Sequence, residues 1–410
     1  MARKVQHVRG SDLHGYSRLA IDGVIGLTRV VETMHRNISR LPGIPGVPAE
    51  PAAAGIAGLV YRSIRGVTRL VGGGIDAILG QLAPLLKEEP SSAVREALVA
   101  ALNGVLGDHL AATANPLAIP MRLRREGQPL ELARESLAGA IPRPTGHILL
   151  LVHGLCRNDL QMRRKGHDHG AALAGDAAFA APFTPVYLHY NSGLHVSTNG
   201  RAFAEQIERL LKSWPVPVVE LDIIGHSMGG LVSRSAYHYG NAAGHDWPRR
   251  LRKMVFLGTP HHGVPLERGG NWVNVVLDSS PYTAALARLG KIRSAGITDL
   301  RFGSLVDEDW RHRDRFGRTR DERVAVPLPE GVQCYAIAAS IAKRPRNAGV
   351  PLLGDGLVPV RSALGQHADA ALSLAIPESR RWIAYGMGHL DLLDRRPVYE
   401  RIRRWLSSPD

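Results

Sequence analysis

The stretch Val218-Val219-Glu220-Leu221-Asp222-Ile223-Ile224-Gly225-His226-Ser227-Met228-Gly229-Gly230 decides how the rest of the chain is read. An apolar run of strand character ends at Gly225, and helix-forming sequence begins near Met228. Ser227 therefore sits on a tight strand-to-helix turn. A serine hydroxyl is a poor nucleophile unless it is held exposed beside a base. A sharp turn does this by lifting the side chain clear of the sheet in a strained backbone conformation, and it needs small residues at Gly225 and Gly229 because side chains there would strike the neighbouring strand and helix. Gly230 extends the small-residue surface. The bland reading is a glycine-rich turn with a bystander serine. The position between strand and helix favours the nucleophile.

Outward from this turn, strands and helices alternate. His147-Ile148-Leu149-Leu150-Leu151-Val152 is a buried-type strand ending in a glycine loop. Further strands are expected over Phe183 to Tyr190, Val218 to Ile224, Lys253 to Leu257, Val332 to Ala339 and Arg381 to Tyr385, with a helix over Ala202 to Leu211. Short apolar strands separated by helices predict an α/β fold, a mostly parallel sheet with helices on both faces. Such a sheet carries its chemistry at the carboxyl ends of the strands.

A nucleophilic serine needs a base and an acid, which in this kind of sheet follow it in the order acid, then base. Asp355, in Gly354-Asp355-Gly356-Leu357-Val358-Pro359-Val360, is the acid candidate on a loop leaving the Val332 to Ala339 strand. An Asp-Gly pair is also a common surface turn. His389, in Tyr385-Gly386-Met387-Gly388-His389-Leu390-Asp391, is the base candidate just after the last strand, and Leu390 to Leu393 is read as the start of the terminal helix. Asp391 is the fallback acid, although it lies very near His389 in sequence. Eighteen histidines dilute any one of them, so order, spacing and glycine context carry the choice. Acyl transfer also needs donors for the developing oxyanion, each commonly worth roughly 3 kcal/mol. The backbone N–H groups of Met228 and of Leu155, in His153-Gly154-Leu155-Cys156, are the expected pair. Cys156 reads as a small packing residue, since no base accompanies the thiol.

At these residues the chain resembles the α/β-hydrolase superfamily and, within it, bacterial lipases and inositol-deacylase-like proteins. The resemblance rests on LVHGLC at 151–156, IGHSMGG at 224–230, FLGTPHHG at 256–263, GDGLVPV at 354–360 and GHLDLL at 388–393, and it covers roughly Gly146 to the C-terminus. It implies an α/β-hydrolase catalytic domain over 145–410, with 264–323 inserted between strands as a cap or lid. Trp272, Val273, Val276, Leu277 and the stretch Tyr282 to Leu289 would give that cap an apolar face suited to a lipid-like acyl group, or else form a fixed helical excursion. His153, Gly154, His226, His261 and His262 would shape the pocket. The implied activity is hydrolysis of an apolar carboxylic ester through an acyl-enzyme. A thioesterase, an acyltransferase and an intracellular polyester depolymerase use the same machinery, and a non-catalytic membrane-associated scaffold could retain the fold.

The first 144 residues have a different character and match no motif of this kind. Ile21, Val24, Ile25, Thr28, Val31, Met34 and Ile38 recur at helical spacing, a second helical stretch covers roughly Ile56 to Leu86 around Gly72-Gly73-Gly74, and a third follows Ser91-Ser92 toward Leu110. GLTRVV at 26–31 and GVTRLV at 66–71 hint at a short duplication. These Arg-bearing helices would either pack on the catalytic domain or lie on a membrane surface.

Composition bounds the partners. Lys and Arg number 51 against 37 Asp and Glu, a formal charge of +14. That surface suits anionic partners such as an anionic membrane, but with no long basic block and no zinc-finger spacing, nucleic acid is not expected. The N-terminal MARKVQHVRGSDLHGYSR has no apolar core of a secretory signal, and no run reaches membrane-spanning length. The expectation is a cytoplasmic protein, either free or peripheral at the membrane, with a small-molecule or lipid ester as substrate. Cys156 and Cys334 allow one disulfide, but reduced thiols suit that compartment better. No cofactor and no metal is expected. The cluster His167-Asp168-His169 lacks a ligand set elsewhere and is read as an exposed loop.

Overall fold

In the computed structural model the described residues are 11–12, 14–22, 93–177, 179, 181–264, 294–313, 320–344 and 354–408. Among them, eight strands form one sheet: β1 (Arg122–Arg125), β2 (Gln128–Pro129), β3 (His147–Val152), β4 (Thr184–His189), β5 (Glu220–His226), β6 (Leu251–Leu257), β7 (Gln333–Ser340) and β8 (Arg381–Tyr385). Their order is β2-β1-β4-β3-β5-β6-β7-β8. β4 and β3 run parallel, as do β3 with β5 and each later neighbour. β1 is antiparallel to both β2 and β4. This is the α/β-hydrolase arrangement. The chain turns back at β3, with β4 on one side and β5 on the other, so the crevice above β3 and β5 is the topological switch point where such sheets bind ligands.

Among the described residues from 93 onward, the α-helices are α1 (Ala93–Ala112), α2 (Arg134–Ala140), α3 (His169–Ala174), α4 (Val196–Ser213), α5 (Met228–Ala242), α6 (Ala295–Asp299), α7 (Val360–Ala363) and α8 (Arg396–Ser407). Strands covered on both faces can be apolar at every position, and β3 is so after its first residue, His147: Ile148, Leu149, Leu150, Leu151 and Val152 are all buried. One core layer joins Leu149, Leu151, Ile224, Val255, Leu257 and Ile337 to Val398, Ile402, Trp405 and Leu406 of α8. The spacing of those four puts them on one stripe of the helix.

The chain divides into two compact units, Met1–Ser92 with Leu110–Ala118 and Ala93–His109 with Ile119–Asp410. The second carries the whole sheet. The change of sequence pattern at Pro142 to Pro144 does not coincide with the start of the sheet, because β1 and β2 precede it. In the first unit, residues 11–12 and 14–22 are helical, and Asn115 Nδ2 donates to Gly15 O at 3.0 Å. Apart from Ile21 and Asp22, the helical repeats expected over 21–38 and 56–86 and the two similar hexapeptides lie outside the described residues. So do Trp272, Val276 and the rest of 265–293 in the expected cap. No helix among the described residues is long and apolar enough to cross a membrane.

Candidate active site

β5 delivers Ser227 onto its turn and α5 begins one residue later. Ser227 adopts φ 56° and ψ −127°, a region costly for a side chain and held only where the surroundings over-determine it. Its N–H donates to Leu257 O of the adjacent strand at 2.8 Å. The glycines permit the turn: a Cβ at Gly229 would stand 2.3 Å from Val152 O, and one at Gly225 2.6 Å from the Gly230 Cα. Ser227 itself is half-buried.

The loop after β3 folds against this turn. A Cβ at Gly154 would lie 2.9 Å from the Ser227 Cβ, so the two backbones are in contact. His153 is buried and stacked on Tyr190 at 4.3 Å, and the Tyr190 hydroxyl donates to His153 O at 2.8 Å. Cys156 takes a positive φ of 59°, and its N–H donates to Ser192 Oγ at 3.0 Å. The N–H groups of Leu155 and Met228 have no acceptor among the described residues. Two free backbone donors therefore flank Ser227, one from each side of the switch point.

The loops leaving β7 and β8 bring Asp355 and His389 together. His389 Nδ1 lies 2.6 Å from Asp355 Oδ2, with both side chains buried. Asp355 Oδ1 accepts the N–H groups of Leu357 at 2.9 Å and Val358 at 2.7 Å, and His389 N–H donates to Asp355 O at 3.3 Å. A carboxylate only accepts, so this contact puts the imidazole proton on Nδ1 and leaves Nε2 with a lone pair. His389 also borders the serine turn: its ring centroid is 4.7 Å from that of His226, and a Cβ at Gly258 would stand 3.1 Å from its Cε1. No hydrogen bond joins Ser227 Oγ to His389 Nε2. Such contacts are often long without substrate and tighten when it binds.

Asp391 is engaged elsewhere. Its Oδ2 accepts the Gly388 N–H at 3.0 Å, and its Oδ1 lies 3.4 Å from Arg164 and 3.5 Å from Arg395. Partial burial pushes its carboxyl up, but the Gly388 N–H and these cations outweigh that and hold it below the usual range.

The remaining sequence-nominated residues divide into two places. His153, Gly154 and His226 lie at the turn itself. His226 is fully buried, its Nε2 lies 3.2 Å from His389 O, and burial drives its imidazole far below the ordinary value. It is a neutral spacer beneath His389. His261 and His262 instead line a separate cavity of about 340 Å³, whose lining includes none of Ser227, Asp355 or His389. The chain leaves the end of β6 through Gly258, Thr259 and Pro260, and both imidazoles face that cavity.

The reading of His167-Asp168-His169 as an exposed loop is corrected. Asp168 caps α3 by accepting the Ala171 N–H at 3.1 Å. His169 is buried, with Nε2 2.9 Å from Leu392 O and Nδ1 2.8 Å from His167 Nε2. The motif ties α3 to the His389 loop. Among the described residues no His, Cys, Asp or Glu cluster could hold a metal. Cys156 and Cys334 are both buried and unbridged. Sequence reasoning missed Arg234 of α5, which is 4% exposed. An arginine in a helix ordinarily reads as solvated, and only its uncharged surroundings, small or apolar from Gly229 to Ala236, hinted otherwise.

A family model described as a domain of unknown function (DUF7379) matches residues 115–300. No curated protein matches the sequence. Among solved structures, the chain is similar to the mature form of the lipase BlEst2 of Bacillus licheniformis, at 15% identity and a TM-score of 0.42 over 71% of this chain and 98% of that one. It is also similar to lipase B of Aspergillus fumigatus, at 12% identity and a TM-score of 0.38 over 68% of this chain and 54% of that one. A thermophilic esterase of Thermogutta terrifontis is similar at 16% identity and a TM-score of 0.34, over 64% of this chain and 90% of that one.

Proposed function

We propose that the chain is a serine carboxylic ester hydrolase acting on an apolar acyl ester. The observation that carries this reading is the His389–Asp355 pair at 2.6 Å, set at the edge of a serine turn flanked by two unpartnered backbone N–H groups. Ser227 Oγ attacks the acyl carbonyl, and His389 Nε2 takes its proton. Asp355 holds the tautomer and stabilises the imidazolium. The Leu155 and Met228 N–H groups receive the developing oxyanion. His389 returns its proton to the leaving alcohol, and water then attacks the acyl-enzyme by the same route in reverse. Apolar residues in the 264–323 sequence, Trp272 and Val276 among them, favour an apolar acyl group, and the formal charge of +14 favours work at an anionic membrane surface.

The test is hydrolysis of p-nitrophenyl esters across acyl lengths by the full chain, with and without anionic liposomes, beside Ser227→Ala. The wild type should turn over, and label with a fluorophosphonate at Ser227. Ser227→Ala should do neither while keeping its circular dichroism. Activity retained in that variant, or a folded wild type that neither hydrolyses nor labels, overturns the reading.

A further inference from the structure

Among the described residues, the 340 Å³ cavity beside His261 contains a buried positive charge with no carboxylate paired to it. Arg234 sits on α5, two turns beyond Ser227. Its Nη2–H donates to Val326 O at 2.5 Å, and Nη1–H donates to His261 Nδ1 at 3.3 Å. Its Nε–H is buried without an acceptor. The titratable groups acting on the guanidinium are Cys334 and Arg323. Burial pushes the Cys334 thiol up to about 12, so it is neutral, and Arg323 is a second cation already matched by Asp321 at 2.8 Å. Asp309, the acid on the cavity wall, is occupied by the N–H groups of Leu305, Val306 and Val324. Burial lowers Arg234 to about 10, which still leaves it charged near neutrality.

His261 adds a second orphan. Because Nδ1 accepts from Arg234, the ring proton must lie on Nε2, and that Nε2–H is buried with no acceptor. An uncompensated buried cation and two unmet donors are costly unless something answers them. The rest of the lining is largely apolar, with Leu305, Val326, Leu328 and Leu374 among its walls. The volume lies in the range of small-molecule sites.

We propose that this cavity is a binding site for a small organic carboxylate, separate from Ser227, with the carboxylate at Arg234 and His261 and a short hydrocarbon portion against the apolar wall. Among the described residues, one charge and two oxygens match the buried Arg234 cation and the two unmet donors beside it; Arg380, also on the cavity wall, is only partly buried. A phosphate dianion carries two further oxygens that these two donors cannot meet. The site stands whether or not Ser227 is a nucleophile.

The test is calorimetric titration of the full chain with hexanoate, hexanamide and inorganic phosphate. Hexanoate should bind and raise the thermal midpoint, and the amide and phosphate should bind at least tenfold more weakly. Arg234→Gln should weaken hexanoate at least tenfold, while Ser227→Ala should bind it as the wild type does. If Arg234→Gln fails to fold, Ala325→Trp decides: it fills the cavity from an exposed position, leaves Arg234 in place, and should abolish binding. Hexanoate that does not bind, that binds no better than its amide or phosphate, that survives the folded Arg234→Gln or Ala325→Trp variant, or that is lost in Ser227→Ala, overturns the proposal.

Discussion

Asp355 holds His389 with one oxygen and its own loop with the other: Oδ2 lies 2.6 Å from His389 Nδ1, while Oδ1 accepts the Leu357 and Val358 N–H groups. The carboxylate is thus fixed by the backbone before it fixes the imidazole. That arrangement makes the contribution of Asp355 measurable in isolation from folding.

Asp355→Asn keeps an oxygen for Leu357 and Val358 but turns an NH₂ donor toward His389 Nδ1. The imidazole must then carry its proton on Nε2, where a base is needed. Under the proposed mechanism kcat falls about 10³- to 10⁴-fold with KM little changed. A loss below tenfold in a folded variant would reject the pairing as functional.

Asp391→Asn supplies the contrast. Asp391 serves Gly388, Arg164 and Arg395 and makes no hydrogen bond or ion pair with His389. Activity should stay within about threefold of wild type, with a small stability loss of at most about 1 kcal/mol in urea unfolding. A kcat as low as that of Asp355→Asn would mean that the two acids have been misassigned.

Gly229→Ala tests the turn sterically. Its Cβ would meet Val152 O and His153 O at 2.3 and 2.6 Å, and neither is the end of a flexible side chain. The variant should lose about 1–3 kcal/mol, or fail to accumulate as folded protein. Wild-type stability and activity together would show that the turn relaxes more easily than its packing indicates.

Acid should destabilise the protein before its carboxylates titrate. Burial lowers His153 to about 3 and His169 to about 4, from an ordinary 6.5. Both are neutral when folded and take up protons near pH 6.5 when unfolded, so the unfolded chain binds more protons and stability falls as pH falls. The loss begins near 6.5 and is complete only below the folded values, amounting to about 2 kcal/mol per histidine between pH 7.5 and 5. Urea midpoints across that range should decline, and His153→Gln should flatten the decline. A level profile in the wild type would contradict the buried, neutral assignment.

Cys156, beside the serine turn, should be inert. Burial raises its thiol to about 12, and the thiolate is the reactive form. Iodoacetamide at pH 7.5 should leave both cysteines unmodified in native protein and label both in urea, as read by intact mass. Rapid native labelling at Cys156 would place a reactive thiol next to Leu155.

Apolar runs bounded by glycines and helical repeats were enough, in the sequence alone, to read six parallel strands, β3 to β8, because strands of a parallel sheet are short and mainly apolar, most plainly in β3, where five successive residues are buried. The turn at Ser227 was legible for the same local reason, since only glycine tolerates the close approaches at 225 and 229. β1 and β2 were not legible: Arg122-Leu123-Arg124-Arg125 is charged, and it joins the sheet because β4 offers it an open edge and Glu96 and Asp159 meet Arg124 at 3.2 and 2.8 Å. Tertiary structure alone decided that His389 meets Asp355 and not the nearby Asp391, that His169 is buried, and that His261 and His262 line the cavity of Arg234. Each of those outcomes depends on residues far apart in the chain. Periodicity reports which face a residue occupies, but not which distant loop will be waiting there.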